Sequence, residues 1–170
     1  GIHIFAEKPL TANYEEAKEL SRLAEEKGVT TAVDFIFQEI AEFAKAKELI
    51  EAEIYGKLKE IWVNWDFLSY DIKNQISTWK TDLTKGGGAL SFFSSHVLYY
   101  LEFFGGQITE TKSEFTYSPL SLNGAEVGID VDLGFKSGIT GHLHVCCANP
   151  NINCHQVTLV CEGGTIVLES

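Results

Sequence analysis

Basic residues, prolines and long apolar runs are all scarce in this chain. Thirteen Lys+Arg face 24 Asp+Glu, a formal charge of −11, and 170 residues hold only three prolines. Such an acidic balance argues against nucleic acid or an anionic membrane surface as a partner, because both repel it. No apolar run approaches the ~20 residues a membrane-spanning helix needs. Nor does a basic segment followed by an apolar one open the chain as in a secretory signal, so a cytosolic protein is expected. Internal repeats and low-complexity stretches are missing too. What remains is an ordinary globular composition, 45% hydrophobic with mean hydropathy near zero. That excludes a disordered tail, a collagen-like fibre or a polar linker, and it suits one domain or a domain plus part of another.

The four cysteines, Cys146, Cys147, Cys154 and Cys161, crowd into the last 25 positions rather than spreading as a secreted scaffold would. Reduced thiols are expected, acting as small buried hydrophobes. His142, His144 and Cys146 share one strand face at period two, a spacing a soft metal can use. With no CxxC pair and no HxxxH frame beside them, an ordinary sheet face is the preferred reading and no metal is expected.

Along the chain, Gly1–Phe5 is an apolar, β-rich stretch. Asn13 with Glu16 three positions on marks a helix start. Ala17, Leu20, Leu23 and Ala24 follow at helical spacing, and Gly28 stands where a helix-ending glycine belongs. Val29 to Phe37 reads as a strand buried on both faces. Strand, helix, strand is a right-handed parallel crossover. Two parallel strands do not make a stable sheet, so the expectation is that the chain begins inside a larger doubly wound domain. A second helix is predicted over Glu39 to Glu53. Lys59 to Phe67 follows as a strand with Ile61, Val63 and Trp65 on one face. Ser69 to Lys85 is polar and irregular, and a third helix is predicted from Ala89 to about Phe104. Five alternating segments close the chain: Ile108 to Tyr117, Glu126 to Lys136, Gly141 to Ala148, His155 to Cys161 and Thr165 to Glu169. With no helices between them, they predict an antiparallel or mixed sheet.

Two constellations carry chemistry. Glu7-Lys8-Pro9 follows the first strand, at the carboxyl end where open α/β sheets bind ligands, and Lys8 would project there. Gly86-Gly87-Gly88 opens the third helix, with His96 two turns in. Glycines permit close approach of a ligand or a neighbouring helix. With no Lys-Ser/Thr after them, a nucleoside triphosphate loop is excluded.

Read in order, Ile4-Phe-Ala-Glu-Lys-Pro-Leu10, Thr31-Ala-Val-Asp-Phe35, Ala44-Lys-Ala-Lys-Glu-Leu-Ile50, Ile54-Tyr-Gly-Lys57, Trp79-Lys80 and Gly86-Gly-Gly-Ala-Leu90 with His96 resemble the glucose–fructose oxidoreductase / inositol dehydrogenase (Gfo/Idh/MocA) family of NAD(P)-dependent sugar oxidoreductases. The likeness spans essentially the whole chain. It implies an α/β (α+β) fold in which residues 1–37 are the C-terminal strand-helix-strand of a Rossmann domain. Residues 38–170 would be a substrate-binding and oligomerisation domain, an open, mostly antiparallel sheet covered by helices on one face. The family's glycine-rich pyrophosphate loop and ribose-binding acid are not in this sequence and would lie upstream of Gly1.

By the same resemblance, Lys8 and His96 are the catalytic pair: the lysine near the nicotinamide and the reacting hydroxyl, the histidine as acid/base. Glu7, Lys8 and Pro9 shape the NAD or NADP corner, and Trp79 and Lys80 bind substrate. Two positions depart from the family pattern. Phe92 stands where an Asp usually lies four positions before the histidine, and Phe35-Ile-Phe-Gln38 replaces an Asn-x-Arg. The implied activity is hydride transfer between NAD(P) and a sugar, inositol or related polyol, with this chain alone inactive. The alternative is a non-catalytic binding or oligomerisation module, a homo-oligomer joined through the open sheet by Trp62, Trp65, Phe115, Tyr117 and Phe135.

Overall fold

Asn13 caps the first helix: its side chain accepts a hydrogen bond from the Glu16 amide at 3.0 Å, starting α1 (Tyr14–Lys27), and Gly28 ends it in the left-handed conformation with φ 59. In the computed structural model, which describes residues 1–169, α1 joins two short parallel strands, β1 (Ile4–Ala6) and β2 (Thr31–Val33), in the register Ile4 to Thr31. The long buried strand expected over Val29 to Phe37 is not found. Only Thr31–Val33 pairs, its faces are open, and Ile36–Glu39 winds into a 3-10 turn. None of the described residues of α1 is buried. A parallel pair with one crossover helix has no second layer to close over it, so its apolar residues stay on the surface.

The remainder has its own core. Helix α2 (Ala41–Glu51) buries Phe43 and Ala46. It leads into the central strand β3 (Leu58–Asp66), then a short helix α3 (Tyr70–Lys73) and two 3-10 turns at Trp79–Thr81 and Leu83–Lys85. The third predicted helix opens with a wide π turn, Leu90–Ser94, before settling into α4 (Ser95–Gly105). Strands β4 (Ile108–Thr116), β5 (Gly128–Phe135), β6 (Thr140–Cys146), β7 (Cys154–Cys161) and β8 (Gly164–Glu169) follow. They form one sheet in the order β4-β5-β6-β3-β7-β8, in which only β3 with β6 is parallel. That is the antiparallel or mixed sheet the alternation predicts, and the mostly antiparallel one the resemblance implies.

Period two sorts the two faces. Ile61 and Val63 on β3, Ile129 and Leu133 on β5, Leu143 and Val145 on β6, and Val157 and Leu159 on β7 all point to one side and are buried. Helix α4 lies over them with Val97, Tyr100 and Leu101, each fully shielded from solvent. The other face carries Trp62, Asp130, Asp132, His142 and His144. His142 Nδ1 lies 2.9 Å from Asp132, and His144 Nδ1 lies 2.7 Å from Asp130. Of the aromatics assigned to an interface, Trp65 and Phe135 face inward instead, because they sit in phase with Val63 and Leu133. Phe135 is buried, whereas Trp62, Phe115 and Tyr117 are exposed.

Candidate active site

Lys8 leaves the carboxyl end of β1 through a cis Lys8–Pro9 bond and reaches across to the sheet domain. Its ammonium donates to the Phe92 carbonyl at 2.6 Å and sits 3.7 Å from the centroid of the Phe92 ring. Position 92 therefore still holds the lysine, through a backbone oxygen and an aromatic face rather than a carboxylate. Lys80, from the 3-10 turn at Trp79–Thr81, places its ammonium 4.3 Å from the same centroid. Trp79 packs edge-on against Phe92, with 5.6 Å between centroids.

The glycines explain how these pieces meet. A Cβ on Gly87 would overlap the Trp79 carbonyl, and one on Gly88, whose φ is 125, would overlap the Glu126 carboxylate. Glu126, buried, accepts from the Leu90 amide at 3.0 Å and so satisfies a free donor at the start of the π turn. Ser91 and Ser95 hydroxyls bond to the carbonyls of Gly86 and Ser91, at 2.6 and 2.7 Å. These side-chain bonds to the backbone accompany the widened turn. That turn was not legible from spacing; the serines at 91, 94 and 95 were its available signal.

His96 follows Phe92 by one turn. It is only 8% exposed, with its ring edge-on to Phe35 at 5.8 Å and to Phe37 at 5.3 Å. The Phe35-Ile-Phe segment that replaces the usual polar motif thus builds an apolar lid on the histidine. Its Nδ1 is buried with no hydrogen-bond partner among the described residues. Burial, then the nearby Lys8 charge, then His155 push the His96 imidazole down to about 4, so it is neutral at pH 7. His155 is likewise pushed down to about 4 by burial, and its Nε2 lies 3.0 Å from the Tyr100 hydroxyl. No position-by-position reading of the sequence flagged His155 or Tyr100 as a polar pair inside the core.

Lys8 itself is lowered to about 8, by burial first and then by Lys80, with Glu7 acting in the opposite sense. A lysine poised there exchanges protons near neutral pH. Its cleft, about 260 Å³, is shared with Pro9, Trp79, Lys85 and Gly86. Beyond Phe92 lies a cavity of about 270 Å³ bordered by Lys80, Ser69, Asp71, Thr81, Ser121 and Glu126. The structure thus brings together Lys8, Trp79, Lys80 and Phe92, and places His96 one turn deeper. Glu7 stays on the surface beside Lys8. The residues fit the reacting end of a nicotinamide cofactor: a lysine at the carboxyl end of a parallel strand, and a buried ring nitrogen left without a partner.

Against known families, residues 43–167 match the GFO/IDH/MocA C-terminal domain, and residues 1–35 match the oxidoreductase family with an NAD-binding Rossmann fold. An uncharacterised oxidoreductase of Synechocystis sp. is 37% identical over 106 residues, 62% of this chain and 29% of that protein. The D-xylose dehydrogenase of Paenarthrobacter nicotinovorans is 28% identical over 117 residues, 67% of this chain and 30% of that protein. The chain therefore spans about a third or less of the curated relatives it matches. Among solved structures, the WlbA dehydrogenase of Bordetella pertussis, in complex with NADH and UDP-GlcNAcA, superposes with a TM-score of 0.87 at 22% identity. The match covers 99% of this chain and 51% of that one. A levoglucosan dehydrogenase in complex with NADH gives 0.87 at 20% identity, over 98% of this chain and 47% of that one. At these identities the likeness is one of fold.

Proposed function

The chain belongs to the GFO/IDH/MocA oxidoreductase family, and from that premise we propose that it forms the substrate side of an NAD(P)-dependent oxidoreductase acting on a sugar, inositol or related polyol. The observation that carries the reading is the meeting of Lys8, at the end of β1, with Phe92 and the His96 turn of the sheet domain. In this reading residues 1–37 close the dinucleotide-binding domain and residues 38–170 form the substrate domain. Neighbours of the same fold were solved with NADH and with sugar-type ligands, which supports the substrate class.

Glu7, Lys8 and Pro9 would border the nicotinamide, which when bound supplies the hydride-accepting or hydride-donating ring. This chain's residues handle the proton. Oxidation of a polyol hydroxyl releases one proton, and Lys8 as the neutral amine takes it up at Nζ. In the reverse direction the ammonium returns it. His96, neutral throughout the working range, offers a ring nitrogen to hold the reacting hydroxyl, while Phe35 and Phe37 keep water from that side. Trp79 and Lys80 border the substrate. Phe92 carries no proton and instead fixes Lys8.

The test is nicotinamide reduction at 340 nm across sugars, inositols and sugar acids, by the protein with a complete dinucleotide domain. Turnover that falls ~10²-fold or more in His96→Ala supports the assignment. Unchanged turnover in that variant removes His96 from the site.

A second reading concerns assembly. Trp62 is 49% exposed on the outer sheet face, beside a row of paired histidines and aspartates, and an open sheet face of this kind suits a second copy. Light scattering that gives an 18.9 kDa particle at micromolar concentration would count against it.

A further inference from the structure

The Phe92 ring gathers two cations and no anion. Lys8 and Lys80 both bring their ammonium groups within 4.3 Å of its centroid. Among the described residues neither forms an ion pair with a carboxylate, whereas Lys45, Lys47, Lys59 and Lys85 all do. In a chain of formal charge −11, two ammonium groups at one ring with no ion-paired carboxylate are unexpected, since carboxylates are plentiful and like charges repel. Glu7 offsets the effect of Lys80 on Lys8 only in part. The side chain the two lysines share is Phe92, which carries no charge. Its π face tolerates cations but does not neutralise them. The mutual repulsion is visible on Lys8, whose lowered affinity for its proton owes part of its cause to Lys80.

Lys80 also borders the cavity of about 270 Å³ beyond Phe92, near the lower end of the ~300–1,000 Å³ typical of small-molecule sites. Two carboxylates border the same cavity. Asp71 accepts from the Thr78 hydroxyl at 2.6 Å and Glu126 from the Leu90 amide at 3.0 Å, and each carboxylate keeps further lone pairs for ligand hydroxyls. Ser69, Thr81 and Ser121 stand beside them. Within one cavity, Lys80 can take an anion and the two carboxylates can take hydroxyl donors.

Resting on the oxidoreductase reading of this same site, we propose that the substrate is an acidic polyol, a sugar or cyclitol bearing one carboxylate or phosphate group, with Lys80 holding the anionic group and Asp71 and Glu126 receiving its hydroxyls. Lys8 remains the proton-handling group. An anion at Lys80 relieves the repulsion Lys8 feels, so Lys8 binds its proton more firmly in the complex than in the free protein.

Calorimetric titration with D-glucuronate and D-galacturonate, with the 6-phosphates of glucose and galactose, and with D-glucose and D-galactose tests this. At least one acidic sugar is expected to bind ~10-fold or more tightly than its neutral counterpart, as a charge-assisted contact does. The better of the carboxylate and phosphate series identifies the anionic group. Lys80→Gln is expected to bring acidic and neutral sugars within ~3-fold of each other, and Phe92→Asp, which supplies the missing counter-ion, to do the same. Lys45→Gln, a charge change at an exposed position of α2, should leave the ratio as it was. Equal binding of acidic and neutral sugars, no binding of any, or a preference that survives Lys80→Gln overturns the inference. Nicotinamide-linked turnover of neutral sugars without an anion preference overturns it while leaving the oxidoreductase reading in place. An anion preference with no nicotinamide-linked turnover of any polyol does the reverse.

Discussion

The two ends of this chain are built on opposite terms. From α2 onward, apolar residues at period two and at helical spacing meet in one core, where Ile61, Leu101, Leu143 and Leu159 are wholly shielded. In the β1-α1-β2 unit none of the described residues is buried, although Leu20, Leu23 and Ile4 are large and apolar. The sheet part has a buried core, whereas the crossover unit leaves its apolar residues on the surface. Yet Lys8, the residue proposed to handle the proton, belongs to the less buried part. Its anchorage on Phe92 is where the two parts share one site.

That contrast can be broken by mutation. Leu101→Ala removes a core side chain between α4 and the sheet and should cost about 2–5 kcal/mol in urea unfolding. A loss well below that would show that the core collapses around the gap, and the contrast would weaken. Acidification probes the core differently. His96 and His155 sit at about 4 when folded, against an ordinary 6.5, so between those values the unfolded chain binds protons that the folded one does not. Stability from this source is complete above pH 6.5 and is lost as pH falls toward 4. His155→Phe should flatten that acid limb and cost about 1 kcal/mol at pH 7, from the Tyr100 hydroxyl it leaves unpaired. An acid limb as steep in the variant as in the wild type would contradict this. At the small end, Leu20→Ala on the exposed α1 should shift stability by no more than about 0.5 kcal/mol. A larger effect would mean that α1 is packed more firmly than its exposure indicates.

Much of this was legible in the sequence, for reasons that differ by element. The Asn13 cap and Gly28 are local signals with a local cause, and both hold. The alternation of β3 and β5 to β8 sorts the sheet faces directly, and it also corrects the interface reading: Trp65 and Phe135 are in phase with buried neighbours. Val29 to Phe37 misled because an apolar, β-branched run signals burial without saying what provides it. Here three residues pair, and Ile36 and Phe37 enter a 3-10 turn. Lys8, Trp79 and Lys80 lie around the Phe92 ring, an arrangement hidden from the sequence. The resemblance marks Phe92 as a departure from an expected acid; the structure adds a ring and a carbonyl that hold one lysine and a ring face that accepts a second. The burial of His96 under Phe35 and Phe37 depends on contacts between elements more than fifty positions apart, which no spacing within α4 reveals.

The most direct test of the account is the pH dependence of kcat/KM for polyol oxidation, in the protein with a complete dinucleotide domain and in its Lys8→Met variant. Lys8 in the free protein lies at about 8 and must be neutral to take up the hydroxyl proton, so kcat/KM should rise with pH through a midpoint near 8. Lys8→Met should abolish that rise and lower the rate ~10²-fold or more. A variant that keeps both the rate and the midpoint would contradict the assignment of the proton to Lys8.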